Sequence, residues 1–494
     1  MTGLYRSRLK KGLTGASTSF ISSLVEDDRI FYCDIRATMA HDVMLYERGI
    51  ISHKDLRAIL GALREIEEKG EMNGGHFEDV HELLESKVIS AAGLEAGGKM
   101  HTARSRNDQV NVAIRMRVRS DILDLCATVL GLMKTALRLA ERYADQMMPL
   151  YTHTQRAQVG TLGHYLLSHI DVASRDFERL MEAYARVNLN PLGACAIGGT
   201  SFPIDRKRTA ALLGFDGLVE NSIDAVSSRD FVLEVAAAIA ILMANISRMA
   251  EDLILWSTCE FHFMEIGDEY ASPSSVMPQK KNPCTLELVR ARAGQTYGSL
   301  IAMLTAAKGL PTGYNRDLQD MKPSLWASFD LAKSSVEVLT GVLSTLEVDR
   351  RSIRGATNEG FLTAVDLAEQ LVQEYALSFR EAHRLVGALV RRCLSQGRRL
   401  TDLRADEIRR ISSRTIGKDI GPSKGFLRIA LDPHLCLLRR DHTGSPNPKE
   451  VRRMLRSRKK RLAEHESELD ARLAALRSSE KLLSGTVKRY MRER

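Results

Sequence analysis

The sequence predicts a mainly α-helical chain of two or three domains built round long helices, and three observations carry that prediction. Only 12 prolines and 34 glycines interrupt 494 residues, of which 44% are hydrophobic and 27% charged, a balance that favours long helices over many short strands. Two stretches, 110–144 and 227–261, keep an apolar repeat of helical period past thirty residues without a proline, longer than an ordinary globular helix and suited to an antiparallel bundle. Within the second, residues 230–255 are apolar nearly all round, which marks a helix buried in an assembly, so an oligomer is expected.

Ahead of the first long helix, Met39, Val43 and Leu45, then Leu56, Ile59, Leu60, Leu63 and Ile66, recur at helical spacing and are broken at Gly49 and Gly70. They predict two or three modest helices. Polar or glycine-rich connections at 93–108, 190–215 and 267–283 separate the long helices, and function is expected on them. After Gly355 the helices shorten, with breaks near Gly397 and 417–425, and 432–448 is the last loop-like stretch. The expected units are therefore an N-terminal helical domain over 1–107, a central long-helix domain over 108–355, a small helical domain over 356–450 and a basic helical extension over 451–494.

In that extension Leu455, Leu462, Leu469, Leu476 and Leu483 recur every seven residues, but their companion heptad positions are mostly charged. A dimerising coiled coil and a helix laying one narrow stripe on its own subunit both fit, and the charged companions favour the second. The net charge of +9 belongs to the same segment: residues 451–494 hold 14 Lys or Arg against 6 Asp or Glu, leaving 57 against 56 before them. With Tyr490 its only aromatic residue and acids mixed through it, this tail argues against nucleic acid as the partner.

Seven scattered cysteines without CxxC or metal-ligand spacing suggest neither a disulfide framework nor a zinc site, and fit a reducing cytoplasm. The N-terminus lacks the apolar core of a signal peptide, and the longest apolar run, 235–244, is too short to span a bilayer. No membrane partner is expected. Nucleotide, zinc-hydrolase and serine-hydrolase motifs are missing too.

Four polar clusters remain as candidates for chemistry. Residues 101–108, HTARSRND, gather hydroxyls, guanidinium groups and an amide before a long helix. They suit either carboxylate binding or simple capping by Asn107 or Asp108 with the arginines in water. Residues 151–158, YTHTQRAQ, set His153 among hydroxyls and amides that can fix its tautomer; a structural histidine is the alternative. In 272–283 Ser274 and Ser275 precede Met277, Pro278, Lys280, Lys281 and Asn282, with Gly267 upstream to permit a mobile loop. Serine removes a proton from carbon only where cationic or amide donors stabilise its alkoxide, and Lys280 and Asn282 are such donors; the plain alternative is a surface turn. The fourth cluster, 314–322, YNRDLQDMK, suits an amino acid's carboxylate and amine.

In order along the chain these clusters resemble the argininosuccinate lyase family of the fumarase/aspartase superfamily. The superfamily signature GSSxMPxKxN meets PSSVMPQKKN at 273–282, and PLGA at 191–194, FPIDR at 202–206, SIDAVSSRDF at 222–231 and MAEDL at 249–253 also match, over roughly 22–451. The resemblance implies a three-domain subunit whose long helices assemble as a homotetramer with a twenty-helix core, each active site drawing on three subunits. It implies fumarate elimination from an N-substituted aspartate through a carbanion whose charge spreads onto the adjacent carboxylate, without cofactor or metal.

Carried over by position, Ser274 is the base, His153 protonates the departing nitrogen and Glu287 holds the His153 ring. Thr102, Ser105, Asn107, Thr152, Lys280 and Asn282 stabilise the dianion, while Ser23, Arg106, Tyr314, Gln319 and Lys322 position substrate, the last three beside its amine portion. Departures from the family pattern are LYRSRL at 4–9 in place of WGGRF, Ala37, Ala103 and Pro273 in place of glycines, and Cys284 in place of an aspartate near the amine pocket. The last of these leaves room for a different amine, as in the ethylenediamine-disuccinate lyases. A crystallin-like structural protein is the reading from another class.

Overall fold

A computed structural model describes residue 8, residues 10–72 and residues 77–493; Leu4, Tyr5, Arg6, Ser7 and Leu9 of the departing N-terminal motif lie outside them. Two helices, Phe31–Glu47 and His53–Lys69, form on either side of Gly49. Ser52 and Asp55 close a reciprocal capping box on the second, and Gly70 ends it at φ 63°, where a side chain would be strained. A third helix, Val80–Ala92, is capped by Asp79.

Five long helices follow: Arg106–Arg142, Leu162–Val187, Asp230–Trp256, Cys284–Ala307 and Met321–Thr345. They alternate in direction. The Arg115 guanidinium donates to the carbonyls of Arg186 and Val187 at one end of the first pair, and Gly163 N–H donates to the Tyr143 carbonyl at the other. The first helix has 37 residues, about 55 Å at 1.5 Å per residue. The end where it starts is called proximal here and the opposite end distal. The proximal end gathers 189–229 and 308–320; the distal end carries the hairpin Met147–Thr152/Gln155–Thr161, the 257–283 segment and Glu347–Val348, which pairs with Met264–Glu265.

Most of the described buried apolar side chains between 30 and 356 belong to one continuous core, which those of the last helix, from Val451 to Tyr490, join, while Ala194, Val219, Ala225 and Val226 form a small cluster of their own. A second, separate core lies between Leu367 and Leu431. The last helix, Pro448–Arg492, settles the choice left open for the heptad: Leu455, Leu462, Leu469 and Leu483 are buried against their own chain. Its cations face acids of the same subunit, Arg452 to Asp145, Arg458 to Asp171 at 2.7 Å, Lys459 to Glu141 at 2.6 Å and Arg472 to Asp216 at 3.2 Å.

Two expectations need correction. Residues 432–448 are not all loop, because Asp432 accepts from the N–H groups of His434 and Leu435 and caps the helix Pro433–Arg439. The apolar run at 235–244 understates its element: Asp230–Trp256 as a whole is long and apolar enough to cross a membrane by length and composition. Its apolar face, including Val235, Ile239, Leu242, Ile246 and Leu253, is instead buried in the core of this chain.

Candidate active site

At the proximal end the N-terminal segment, the 78–80 turn, the start of the first long helix and the 314–322 segment converge. Asp27 is fully buried there. Its carboxylate accepts from Ser23 Oγ at 2.7 Å, from Val80 N–H at 3.2 Å and from the Lys322 ammonium. Arg106 pairs with Asp79 at 2.9 Å and Glu78 at 3.3 Å, Arg316 also pairs with Glu78, and Gln319 Nε2 donates to the Ile21 carbonyl at 3.2 Å. Burial pushes the Asp79 carboxyl up, but the charges of His81 and Arg106 and its hydrogen bonds outweigh that, so it stays below the usual range. Tyr314 has its phenol raised by burial, against the pull of the Arg229 charge.

The 101–108 cluster joins this basin, and the alternative of capping by Asn107 or Asp108 with the arginines in water does not hold. Ser105, rather than Asn107 or Asp108, is the N-cap: its Oγ accepts from Asn107 N–H at 3.3 Å, and Ser105 N–H in turn donates to Asp108 Oδ1 at 3.1 Å. Asp108 instead ties the helix to 193–195, accepting from Gly193 and Cys195 N–H at 2.8 Å each, and burial pushes its carboxyl up to about 6. Asn107 Nδ2 donates to the Ala196 carbonyl at 2.9 Å, leaving its second N–H for a ligand. Nor do the arginines point to water: Arg104 is 4% exposed and Arg106 is paired.

The remaining candidates occupy the distal end. His153 and Thr154 form the two-residue turn of the hairpin at φ 54° and 56°, with Thr152 and Gln155 as the last paired residues. Both turn residues having positive φ is the geometry of tight hairpins, and it lifts His153 clear of the subunit, where it is exposed. In the 272–282 hairpin Ser272 pairs with Asn282 and Pro273 with Lys281, and Ser274 N–H donates to the Lys280 carbonyl at 3.2 Å. The loop folds back on its serine. Ser274 Oγ accepts from Val276 N–H at 3.2 Å and Met277 N–H at 3.0 Å, two dipoles that favour negative charge on that oxygen.

Lys281 fastens this loop to Glu265 at 3.0 Å and Asp268 at 2.7 Å. Gly267, expected to give mobility, has φ −54° and supports close packing instead, since a Cβ there would sit 2.6 Å from Thr345 Oγ1. Lys280 and Glu287 are exposed, Glu287 in the first turn of Cys284–Ala307 and Cys284, half-buried, at its start.

One subunit thus brings Ser23, Thr102, Ser105, Arg106, Asn107, Tyr314, Gln319 and Lys322 to the proximal end, and Thr152, His153, Ser274, Lys280, Asn282 and Glu287 to the distal end. The sequence reading missed Asp27, Glu78 and Asp79, and it named Arg229 and Arg316 only within matching stretches, without a role. Adjacent acids at 78 and 79, directly before a helical pattern, were a readable signal; Asp27 offered none, because its value comes from contacts with residues 53 and 295 positions away.

A family model described as lyase matches residues 16–298, and one described as argininosuccinate lyase C-terminal matches 361–423. The argininosuccinate lyase of Nitrosopumilus maritimus is 42% identical over 96% of this chain and 98% of its own length, and that of Methanothrix thermoacetophila 45% over 94% and 96%. Among solved structures, EDDS lyase in complex with formate superposes with a TM-score of 0.89 at 31% identity, covering 96% of this chain and 94% of its own. A class II fumarase from Schistosoma mansoni, at 15% identity and a TM-score of 0.72 over 86% of this chain and 95% of its own, shares the fold.

Proposed function

From the premise that this chain belongs to the argininosuccinate lyase family of the fumarase/aspartase superfamily, and is a carbon-nitrogen lyase, we propose that it eliminates fumarate from argininosuccinate, releasing arginine. The observation carrying the mechanism is the Ser274 oxygen, held by the N–H groups of Val276 and Met277. Those donors stabilise the charged oxygen more than the neutral one, and so raise the alkoxide population available as a base.

Ser274 takes the proton from the carbon beside the substrate carboxylate, and the electron pair moves onto that carboxylate. The resulting dianion is the costly species, so donors placed where its charge develops contribute more than ground-state contacts. Thr102, Ser105, Asn107, Thr152, Lys280 and Asn282 fill that role. Ser105 keeps its hydroxyl proton for it, because its cap uses the oxygen only as an acceptor. The carbon-nitrogen bond then breaks, the pair returns to form the fumarate double bond, and His153, held by Glu287, gives a proton to the nitrogen. The carboxylate is the electron sink, so these steps call on no cofactor.

Arg106 and Ser23 position the carboxylates, and Tyr314, Gln319 and Lys322 face the amine portion. A helix of about 55 Å stands between the two groups of residues within one subunit. We therefore propose that each site joins the proximal end of one subunit to distal ends of others in a homotetramer.

A second reading keeps fumarate and changes the amine, as in EDDS lyase. It is favoured by Cys284, which removes a carboxylate beside the signature loop. Fumarate absorbance followed with argininosuccinate, adenylosuccinate, aspartate and ethylenediamine-disuccinate in turn decides between them. Argininosuccinate should give the highest kcat/KM; silence with all four rejects the lyase mechanism.

A further inference from the structure

Helix Phe31–Glu47 presents two buried side chains, Thr38 and His41, to the turn that carries Thr102 and leads through the cap Ser105 into the helix start at Arg106 and Asn107. His41 Nε2 lies 2.8 Å from the Thr102 carbonyl oxygen. A carbonyl only accepts, so the ring proton sits on Nε2. Burial, and then the Arg104 charge, push the imidazole down to about 3, which keeps it in this neutral form. Three residues earlier on the same helix, Thr38 Oγ1 accepts from Arg104 Nη1 at 2.8 Å. Residues three apart share a helix face, so one face holds the loop at two points.

Between those points lies Ala103, at φ 59° and 9% exposed. A residue with a Cβ resists that backbone conformation and holds it only where its surroundings impose it. Here the surroundings are the two bonds, one on the carbonyl before Ala103 and one on the side chain after it. Arg104 N–H also donates to the His101 carbonyl at 3.3 Å, closing the turn. Released, Ala103 would relax toward negative φ and carry Thr102 and Ser105 away from their places, since Thr102 directly precedes it and Ser105 follows two residues on in the same short turn.

We propose that Thr38 and His41 are positioning residues for the elimination: they clamp the 102–106 turn in its left-handed conformation and so aim Thr102, Ser105 and Asn107 at the developing dianion. The role in turnover rests on the lyase reading given above; the clamp itself does not. Misplacement of positioned groups by about 1 Å costs on the order of 10²-fold in rate, and it falls on kcat because the groups act mainly in the transition state.

The test compares His41→Leu, His41→Gln and Ala103→Gly, alone and combined, by kinetics and by amide hydrogen exchange of residues 101–107 in the assembled enzyme. His41→Leu should lower kcat by about 10²-fold with a much smaller change in KM, and should quicken exchange in the turn. His41→Gln, which keeps a donor near the position of Nε2, should recover most of both. With Ala103→Gly in the background the His41→Leu loss should shrink, because glycine accepts positive φ without being held. Unchanged exchange in His41→Leu overturns the clamp, and His41→Gln as impaired as His41→Leu reduces it to packing. Quickened exchange with full kcat overturns its role in positioning. Quickened exchange in an enzyme whose parent releases fumarate from none of the four substrates leaves the clamp standing and rejects the lyase reading instead.

Discussion

Lys322 donates its ammonium to the Asp27 carboxylate beneath the proximal basin, with the two side chains 4% and 0% exposed. The pair sets Lys322, at the start of a long helix, against the segment that carries Ser23. Removing one member leaves the other charge buried alone, so Asp27→Asn should destabilise the fold by about 3–5 kcal/mol in urea unfolding. The double variant Asp27→Leu, Lys322→Met should recover much of that stability while staying inactive. Equal losses in single and double variants would contradict the pairing.

Ser274→Ala removes the proposed base while leaving the 272–282 hairpin its backbone pairing. A drop in kcat of at least about 10²–10⁴-fold, with unchanged circular dichroism and oligomeric state, is expected in the fumarate assay. Full activity in this variant refutes the base assignment.

If sites are shared between subunits, two inactive variants can repair each other. Arg106→Ala damages the proximal end and His153→Asn the distal end; each alone should be nearly inactive. Mixed, unfolded together and refolded, they should regain part of the wild-type activity, because some sites then draw both intact ends. No recovery in mixed assemblies, confirmed by native mass spectrometry, would place the whole site in one subunit.

Asp42 is fully buried, and burial pushes its carboxyl up to about 8, with Arg104 partly opposing. Its folded pKa lies above the unfolded value of 3.8, so the folded chain holds the proton more tightly. The stability this contributes is fully present below pH 3.8 and is lost as pH rises toward 8. Asp42→Asn cannot ionise. Its stability relative to wild type should therefore rise between pH 5 and pH 8.5, by about 1 kcal/mol or more, in urea midpoints; a constant difference would show that Asp42 does not titrate in this range.

The last helix is held by its leucine stripe more than by its charge. Leu469→Ala should cost about 2–5 kcal/mol. Lys460→Ala, at an exposed pair with Glu464 3.8 Å away, should stay within about 0.5 kcal/mol. Urea unfolding at one protein concentration measures both, and a larger loss at Lys460 would reverse the ranking.

Helix period and proline spacing placed two of the five long helices, because an apolar face must repeat wherever it meets a core. Thus 110–144 appears as Arg106–Arg142 and 227–261 as Asp230–Trp256. Ends were less legible, because caps depend on which side chain turns back to the backbone: Ser105 rather than Asn107 or Asp108. The signature loop marked Ser274, but not the two N–H groups bonded to it, which depend on how 274–277 fold back.

The sequence by itself determined the reaction class, since the ordered clusters and the PSSVMPQKKN segment identify the family whatever the chain's shape. Only the tertiary structure decided where those clusters lie. A run of 37 helical residues is rigid, so Arg106 at its start and His153 beyond its end are held at opposite ends of the bundle. Asp27 beneath Lys322 and His41 beneath Thr102 depend on contacts between segments far apart along the chain. No local pattern records such contacts, because burial and pairing arise only when distant residues share one core.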